Sequence, residues 1–266
     1  MPAETSALLS VQNVSKRFGG VTAVDAASFE VRRGSLTALI GPNGAGKSTL
    51  FNVITGFERG QGGEVLLEGS SVFGLSPHRI AQRGMVRTFQ LTKALSVMSV
   101  IDNVLLANPR NPGERLGLAL LRPVWRRHEN TAQDRARDLL EVFDLAAKAD
   151  EYAGTLSGGQ RKLLELARAL MLEPAILLLD EPLAGVNRTL GLQILEHIER
   201  IRAERGLTIL LVEHDMDVVM RHSDRIVVMA EGRVVMEGEP ARVRSDQRVI
   251  DAYLGSARSG KPGTHE

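Results

Sequence analysis

Gly41-Pro42-Asn43-Gly44-Ala45-Gly46-Lys47-Ser48, followed by Thr49, is the stretch on which the reading of this chain turns. A short apolar run, Leu36–Ile40, leads into it. A helical pattern follows from Lys47-Ser48 to about Thr55, with Gly56 as its stop. Strand, glycine-rich turn and helix, with Lys and a hydroxyl closing the turn, match the phosphate-loop pattern G-x-x-x-x-G-K-[ST]. The glycines let backbone N–H groups curl around phosphate oxygens without side-chain clash. The helix start adds oriented donors and a partial positive charge. Lys47 is placed to reach β- and γ-phosphates, and Ser48 to ligate magnesium.

A second apolar run, Ile176–Leu179, delivers Asp180 and Glu181 at its carboxyl end, where α/β sheets hold their ligands. Taken alone, this is equally an ordinary strand end with two solvated acids. Beside a phosphate loop, Asp180 becomes a holder of magnesium through water and Glu181 the base that polarises the attacking water. A third signal, Leu156-Ser157-Gly158-Gly159-Gln160, precedes the helical stretch Arg161–Met171. It is a second glycine-rich helix start suited to an anion, although an isolated S-G-G is more often a capped loop.

Composition narrows the chemistry. The 266 residues carry 33 Lys+Arg and 32 Asp+Glu, a formal net charge of +1, which argues against nucleic-acid binding by bulk charge. There is no cysteine, so a disulfide scaffold, a thiolate zinc site and a cysteine nucleophile are excluded. MPAETSALLS has no basic segment and long apolar stretch of a signal peptide, and no run approaches the roughly 18 apolar residues of a membrane helix. The expectation is a cytoplasmic protein whose membrane role would need a partner.

The ends of the chain read as α/β and the middle as helical. Leu8–Val31 is strand-like and broken by turns, Glu64–Leu67 and Met85–Phe89 read as strands, and Ser76-Pro77 starts a helix. Ser99 can cap a helix carrying Val100, Ile101, Val104 and Leu105, and Thr131–Phe143 has helical periodicity. Ile194, Leu195, Ile198 and Ile201 form a helical stripe, and Leu207–Val212 is a buried strand. Arg225–Met229 and Arg233–Met236 flank the hairpin signal Glu231-Gly232, and Arg244–Leu254 can form one closing helix. This predicts a single domain over 1–255 with a helical insert at about 91–171, and a disordered tail at 256–266.

In this order, the three motifs resemble the ATP-binding subunit of ATP-binding-cassette (ABC) transporters, over about Leu8 to Gly255. The resemblance implies an α/β P-loop NTPase cassette with an N-terminal antiparallel β subdomain and a helical insert. It implies ATP and Mg2+ as ligands, and Leu156–Gln160 as the signature that caps ATP held by a partner cassette. Phe18 matches the aromatic that stacks on adenine, and Gln90 the glutamine that senses magnesium and the γ-phosphate. His214 matches the histidine on the γ-phosphate, and Ala184–Asn187 the loop that crosses to the partner. The crossing loop usually ends in Asp; here Asn187 keeps the hydrogen-bonding shape and loses the charge.

Arg87–Gln90, Ala184–Asn187, Glu213–Met216, Ala252–Gly255 and the basic stretch Asn108–Asn130 are similar to the branched-chain amino-acid uptake branch; urea and lipopolysaccharide branches share much of this. The implied assembly is a head-to-tail pair with the same chain or a paralogue, bound to transmembrane permeases and indirectly to a periplasmic binding protein, on the inner face of the membrane. Arg110, Arg115, Arg122, Arg126 and Arg127 read first as a solvated face and second as a surface toward lipid or permease. Soluble relatives that act on DNA carry coiled coils or zinc modules, and those on ribosomes usually carry two cassettes. This chain has one cassette, no heptad run and no cysteine. A nucleotide switch without turnover is disfavoured by Glu181.

Overall fold

Strands buried on both faces need no polar alternation, so a parallel sheet appears in sequence as unbroken apolar runs. The computed structural model describes residues 7–88, 95–108 and 122–259, the side chains of 122–128 and 254–259 excepted. Three such runs are β3 (Leu36–Ile40), β7 (Ile176–Asp180) and β8 (Thr208–Val212), every residue of which is buried. They lie parallel in a six-stranded sheet of order β10-β9-β3-β8-β7-β6, completed by β6 (Met85–Arg87), β9 (Arg225–Ala230) and β10 (Arg233–Gly238). A polar member of these runs is paired: the Thr208 hydroxyl accepts the Gly34 N–H at 2.9 Å.

The chain divides into two compact units. The first holds Met1–Met85, Ala175–Glu181 and Ile201–Glu266. Besides the parallel sheet it contains an antiparallel one of order β2-β1-β4-β5, from β1 (Ala7–Phe18), β2 (Val21–Arg32), β4 (Gly62–Leu67) and β5 (Ser70–Ser71). The strand-like stretch Leu8–Val31 is thus a hairpin, with Phe18 opposite Val21 and Gly19 at φ +55° in the turn. Leu50, Phe51, Val53 and Ile54 of α1 (Lys47–Ile54) and Ile80 of α2 (Pro77–Gln82) pack into the same core as Leu9, Leu39, Leu178 and Met229. On the other face of the parallel sheet, Ala38, Ile40 and Val228 meet Val219 of α7 (Met216–His222), Val243 of α8 (Pro240–Ser245) and Val249 of α9 (Gln247–Ser259).

The closing helix expected over Arg244–Leu254 is two helices. Asp246 is extended, at φ −78° and ψ 125°, and serves the start of α9: its carboxylate accepts the Arg248 N–H at 2.9 Å. α9 then runs to Ser259, past the point where the tail was expected to begin; residues 260–266 lie outside those described. Glu231 and Gly232, at φ +49° and +82°, form the expected tight turn between β9 and β10.

The second unit holds Val86–Pro174 and Pro182–Arg200. It is helical, with α3 (Val100–Leu105), α4 (Arg122–Val142), α5 (Gly158–Met171) and most of α6 (Arg188–Arg205). α4 begins nine residues ahead of the expected Thr131, so Arg122, Arg126 and Arg127 sit on its first turns, while Arg110 and Arg115 lie outside the described residues. Ser99 caps α3 by accepting the Asp102 N–H at 3.1 Å. Val100 and Val104 of its apolar stripe are buried, and so is Asn103, at 0 % exposure. The Asn103 amide accepts the Leu95 N–H at 2.9 Å and donates to the carbonyls of Leu95 and Ser99 at 3.2 and 2.9 Å. It therefore holds Leu95–Ser99 against α3. Asn103→Leu strands those backbone groups in an apolar setting, and the expected loss of stability is about 1–3 kcal/mol in urea unfolding; an unchanged midpoint would show the bonds to be dispensable.

Candidate functional site

Parallel register lines up strand ends. Leu39 of β3 pairs with Val212 of β8, and Val212 with Asp180 of β7, so the three strands release their following loops at one edge. Those loops are Gly41–Lys47, Glu213-His214 and Glu181-Pro182. The Glu181 N–H donates to the Val212 carbonyl at 2.9 Å, which fixes the acidic pair to the neighbouring strand. Asp180 is 5 % exposed, and Glu181 takes a positive φ of +47° as the chain turns off the strand.

Two glycines of the phosphate loop are set by close approach. Gly41 is at φ +150°, and a Cβ there would lie 2.1 Å from the Met229 carbonyl oxygen. Gly46, at φ +96°, would place a Cβ 2.3 Å from the Ala23 carbonyl oxygen. Pro42 and Thr49 are half-buried and Ala45 is buried, while Asn43, Gly44 and Ser48 are exposed. α1 starts at Lys47 with no side-chain cap, leaving its first N–H groups to the loop's concavity. Lys47 Nζ donates to the carbonyls of Gly41 and Pro42 at 2.6 and 3.0 Å, bracing the loop from within. Burial pushes its pKa down and the Glu181 carboxylate opposes that, so the ammonium lies within reach of the acid's field.

His214 has an exposed ring, with Nδ1 3.7 Å from the carboxylate of Glu213, which is 1 % exposed. Phe18 ends β1 with a ring 47 % exposed and Lys16 Nζ 4.6 Å from its centroid. Apart from Pro182, these residues belong to the first unit. Gln90 lies outside the described residues.

The signature residues belong to the second unit. Leu156 is buried, and Ser157 caps α5 in a reciprocal box: Ser157 Oγ accepts the Gln160 N–H at 3.2 Å and Gln160 Oε1 accepts the Ser157 N–H at 3.0 Å. Nothing lies within 4 Å of where a Gly158 Cβ would be, so the backbone there faces open space. Gly159 by contrast sits under Leu190, 1.9 Å from a would-be Cβ. Asn187 caps α6, its side-chain oxygen accepting the Leu190 N–H at 2.9 Å. Loss of the Asp charge therefore leaves the local fold of this loop intact.

The ABC transporter family profile matches residues 24–184, which include the phosphate loop, the signature and the acidic pair. The chain belongs to the ABC transporter family. A second profile, that of branched-chain amino acid ATP-binding cassette transporters, matches residues 233–258. The chain is 41% identical over 251 residues to the high-affinity branched-chain amino acid transport ATP-binding protein BraF of Pseudomonas aeruginosa, covering 94% of this chain and 98% of that one. It is 42% identical to LivG of Salmonella typhimurium, with the same coverage. The solved structure of the ADP conformation of MJ1267, an ATP-binding cassette of an ABC transporter, superposes with a TM-score of 0.81 at 39% identity, covering 94% of this chain and all of that one. This ABC chain is accordingly an ATPase with the α/β cassette fold.

Tyr253, within the Ala252–Gly255 stretch that resembles the branched-chain branch, lies on α9 and packs on the core behind Ile40; its buried hydroxyl faces the Gly41 backbone, burial pushes its pKa up and the Gly41 group opposes. Lys162 of α5, which had no sequence signal, reaches the backbone beyond Glu181. Replacing Lys47 with Ala removes the only motif cation from a loop built for phosphate. ATP affinity should fall by about 10-fold or more, as befits a charge-assisted bond, with the fold retained. Calorimetry gives the answer, and an unchanged affinity would overturn the assignment.

Proposed function

We propose that this ABC ATPase powers uptake of a branched-chain or related hydrophobic amino acid through a separate membrane permease. The observation that carries the substrate is the branched-chain profile over residues 233–258, which are β10, α8 and most of α9. The names of the BraF and LivG relatives support it. Among the described residues no helix is long and apolar enough to cross a membrane; in this reading the permease spans it.

In this reading the loop Gly41–Thr49 wraps the triphosphate, with Lys47 turning from its own carbonyls to the phosphate oxygens. Phe18 offers its exposed ring to adenine. Among the described residues no cluster of three or more acidic or histidine side chains could cage a metal. An exposed Ser48 hydroxyl and a buried Asp180 carboxylate are the sparse oxygen set that suits magnesium bound mainly by water and phosphate. Mg2+ would neutralise charge on the β- and γ-phosphates. Glu181 takes the proton of the attacking water, His214 steadies the γ-phosphate, and Gln90 reports its loss to the helical unit. Ser157 to Gln160, at the start of α5, cap the nucleotide of a second cassette, this chain or a paralogue, in a two-fold pair.

The permease would dock on the second unit. Leu95, Val97, Leu106 and Tyr152 are exposed there, at 43 %, 81 %, 57 % and 65 %, and Leu91–Lys93 and Ala94 lie outside the described residues. A periplasmic binding protein would supply the solute.

Glu181→Gln keeps the side chain's size and removes the base. ATP should still bind while turnover drops on the order of 10²–10⁴-fold, and the ATP-bound protein should sediment as a dimer, alone or with its paralogue. Wild-type turnover would exclude Glu181 as base, and a monomer under every pairing would exclude the two-fold site. For the substrate, reconstitution with the neighbouring permeases and binding protein should give ATP-dependent leucine uptake that urea does not compete. Uptake of urea instead would replace the amino-acid reading. In the same vesicles Leu95→Glu should abolish uptake while the isolated chain still hydrolyses ATP; normal uptake would move the docking surface elsewhere.

A further inference from the structure

Lys162 lies in the second turn of α5, four residues beyond the signature glycine Gly158. Its ammonium donates to the Pro182 carbonyl at 2.9 Å and also to the Ala184 carbonyl. Pro182 is the residue that follows Glu181, and Ala184 opens the crossing loop. The far end of the same loop is also tied to α5. Asn187 caps α6 through the Leu190 N–H, and Leu190 covers Gly159 so closely that a Cβ there would lie 1.9 Å from its methyl carbon. Between these anchors the loop turns on Gly185, at φ +72°, and on a Val186 N–H to Leu183 carbonyl bond of 3.3 Å. A segment of six residues, Pro182–Asn187, is thus held at both ends by the helix that bears the signature.

The front anchor has the chemistry of a tether. An ammonium has three donors and no acceptor, so it can bind two carbonyls at once. A carbonyl acceptor bound to a charged donor is held more strongly than by a neutral one. Moving the start of α5 therefore pulls on the backbone immediately after Glu181.

We propose that Lys162 is a positioning residue that ties the chain leaving Glu181 to the signature helix, so that seating the signature on a partner's nucleotide sets the geometry of this chain's own base. The proposal rests on the reading of Ser157–Gln160 as the signature and of Glu181 as the base. Lys162 touches neither water nor phosphate in this scheme; its effect is on where Glu181 stands. Misplacing a catalytic group by about 1 Å can cost roughly 10²-fold in rate, whereas nucleotide binding by the phosphate loop should be indifferent to it.

The test compares Lys162→Met, which keeps the stem and removes the donors, with Lys162→Arg, which restores cationic donors. On the full chain, Lys162→Met should lower kcat by roughly 10- to 100-fold with KM and ATP affinity within about twofold of wild type, and Lys162→Arg should recover most of kcat. A wild-type kcat in Lys162→Met would overturn the tether. So would a loss of kcat matched by an equal loss of ATP affinity, or an arginine variant as slow as the methionine one. If Lys162→Met does not fold, Lys162→Leu, which also lacks donors, is judged by the same thresholds. A parallel Glu181→Gln control separates the two claims: turnover there would sink the assignment of the base, while a dead control beside a normal Lys162→Met would sink only the tether.

Discussion

The register of three parallel strands governs the site. Leu39, Val212 and Asp180 stand side by side, so the phosphate loop, the Glu213-His214 turn and the Glu181 turn leave the sheet from one edge. Side chains alternate with period two, so a slip of one residue in β7 would send Asp180 to the opposite face and carry Glu181 with it. The slip is resisted by full burial of all three strands. Apolar packing thus sets where the three loops and the acidic pair emerge.

The helical unit solves the same problem with polar anchors. Its functional segments are turns and helix starts, which lack a ladder to hold them, and single side chains take over. Asn103 holds Leu95–Ser99 against α3, Ser157 and Gln160 lock the start of α5, and Asn187 starts α6. Each supplies a backbone donor or acceptor with the partner that regular structure would otherwise give it. Lys162 belongs to this set, and it reaches the backbone that leaves the acidic strand. In the proposed pairing the signature and the base act on different nucleotides, and a hydrogen-bonded link between them within one chain would have mechanical value.

Much of this was legible in the residues. Buried strands, the phosphate loop, the Ser99 cap and the Glu231-Gly232 turn are local signals, in which residue type and spacing alone state the geometry. The strand-like stretch Leu8–Val31 reads as broken by turns without assigning a pairing, and Asp246 divides, through a bond to the Arg248 N–H, a helix that periodicity would continue. Pro182–Arg200 groups with the helical unit, where Leu190 covers Gly159 and the His197 ring lies 5.5 Å from that of Phe143, a choice of partner that periodicity cannot express. Asn103 and Lys162 look like ordinary helix residues until the carbonyls they serve are in place.

In the proposed mechanism the carboxyl ends of β3, β8 and β7 gather one catalytic centre around the triphosphate. A crystal structure of the chain with magnesium and a non-hydrolysable ATP analogue tests it most directly. Lys47 Nζ should have left the Gly41 and Pro42 carbonyls, which it now touches at 2.6 and 3.0 Å, for phosphate oxygens, with Glu181 facing the terminal phosphate. A nucleotide seated elsewhere, or a Lys47 still bound to its own loop with the triphosphate in place, would contradict the account.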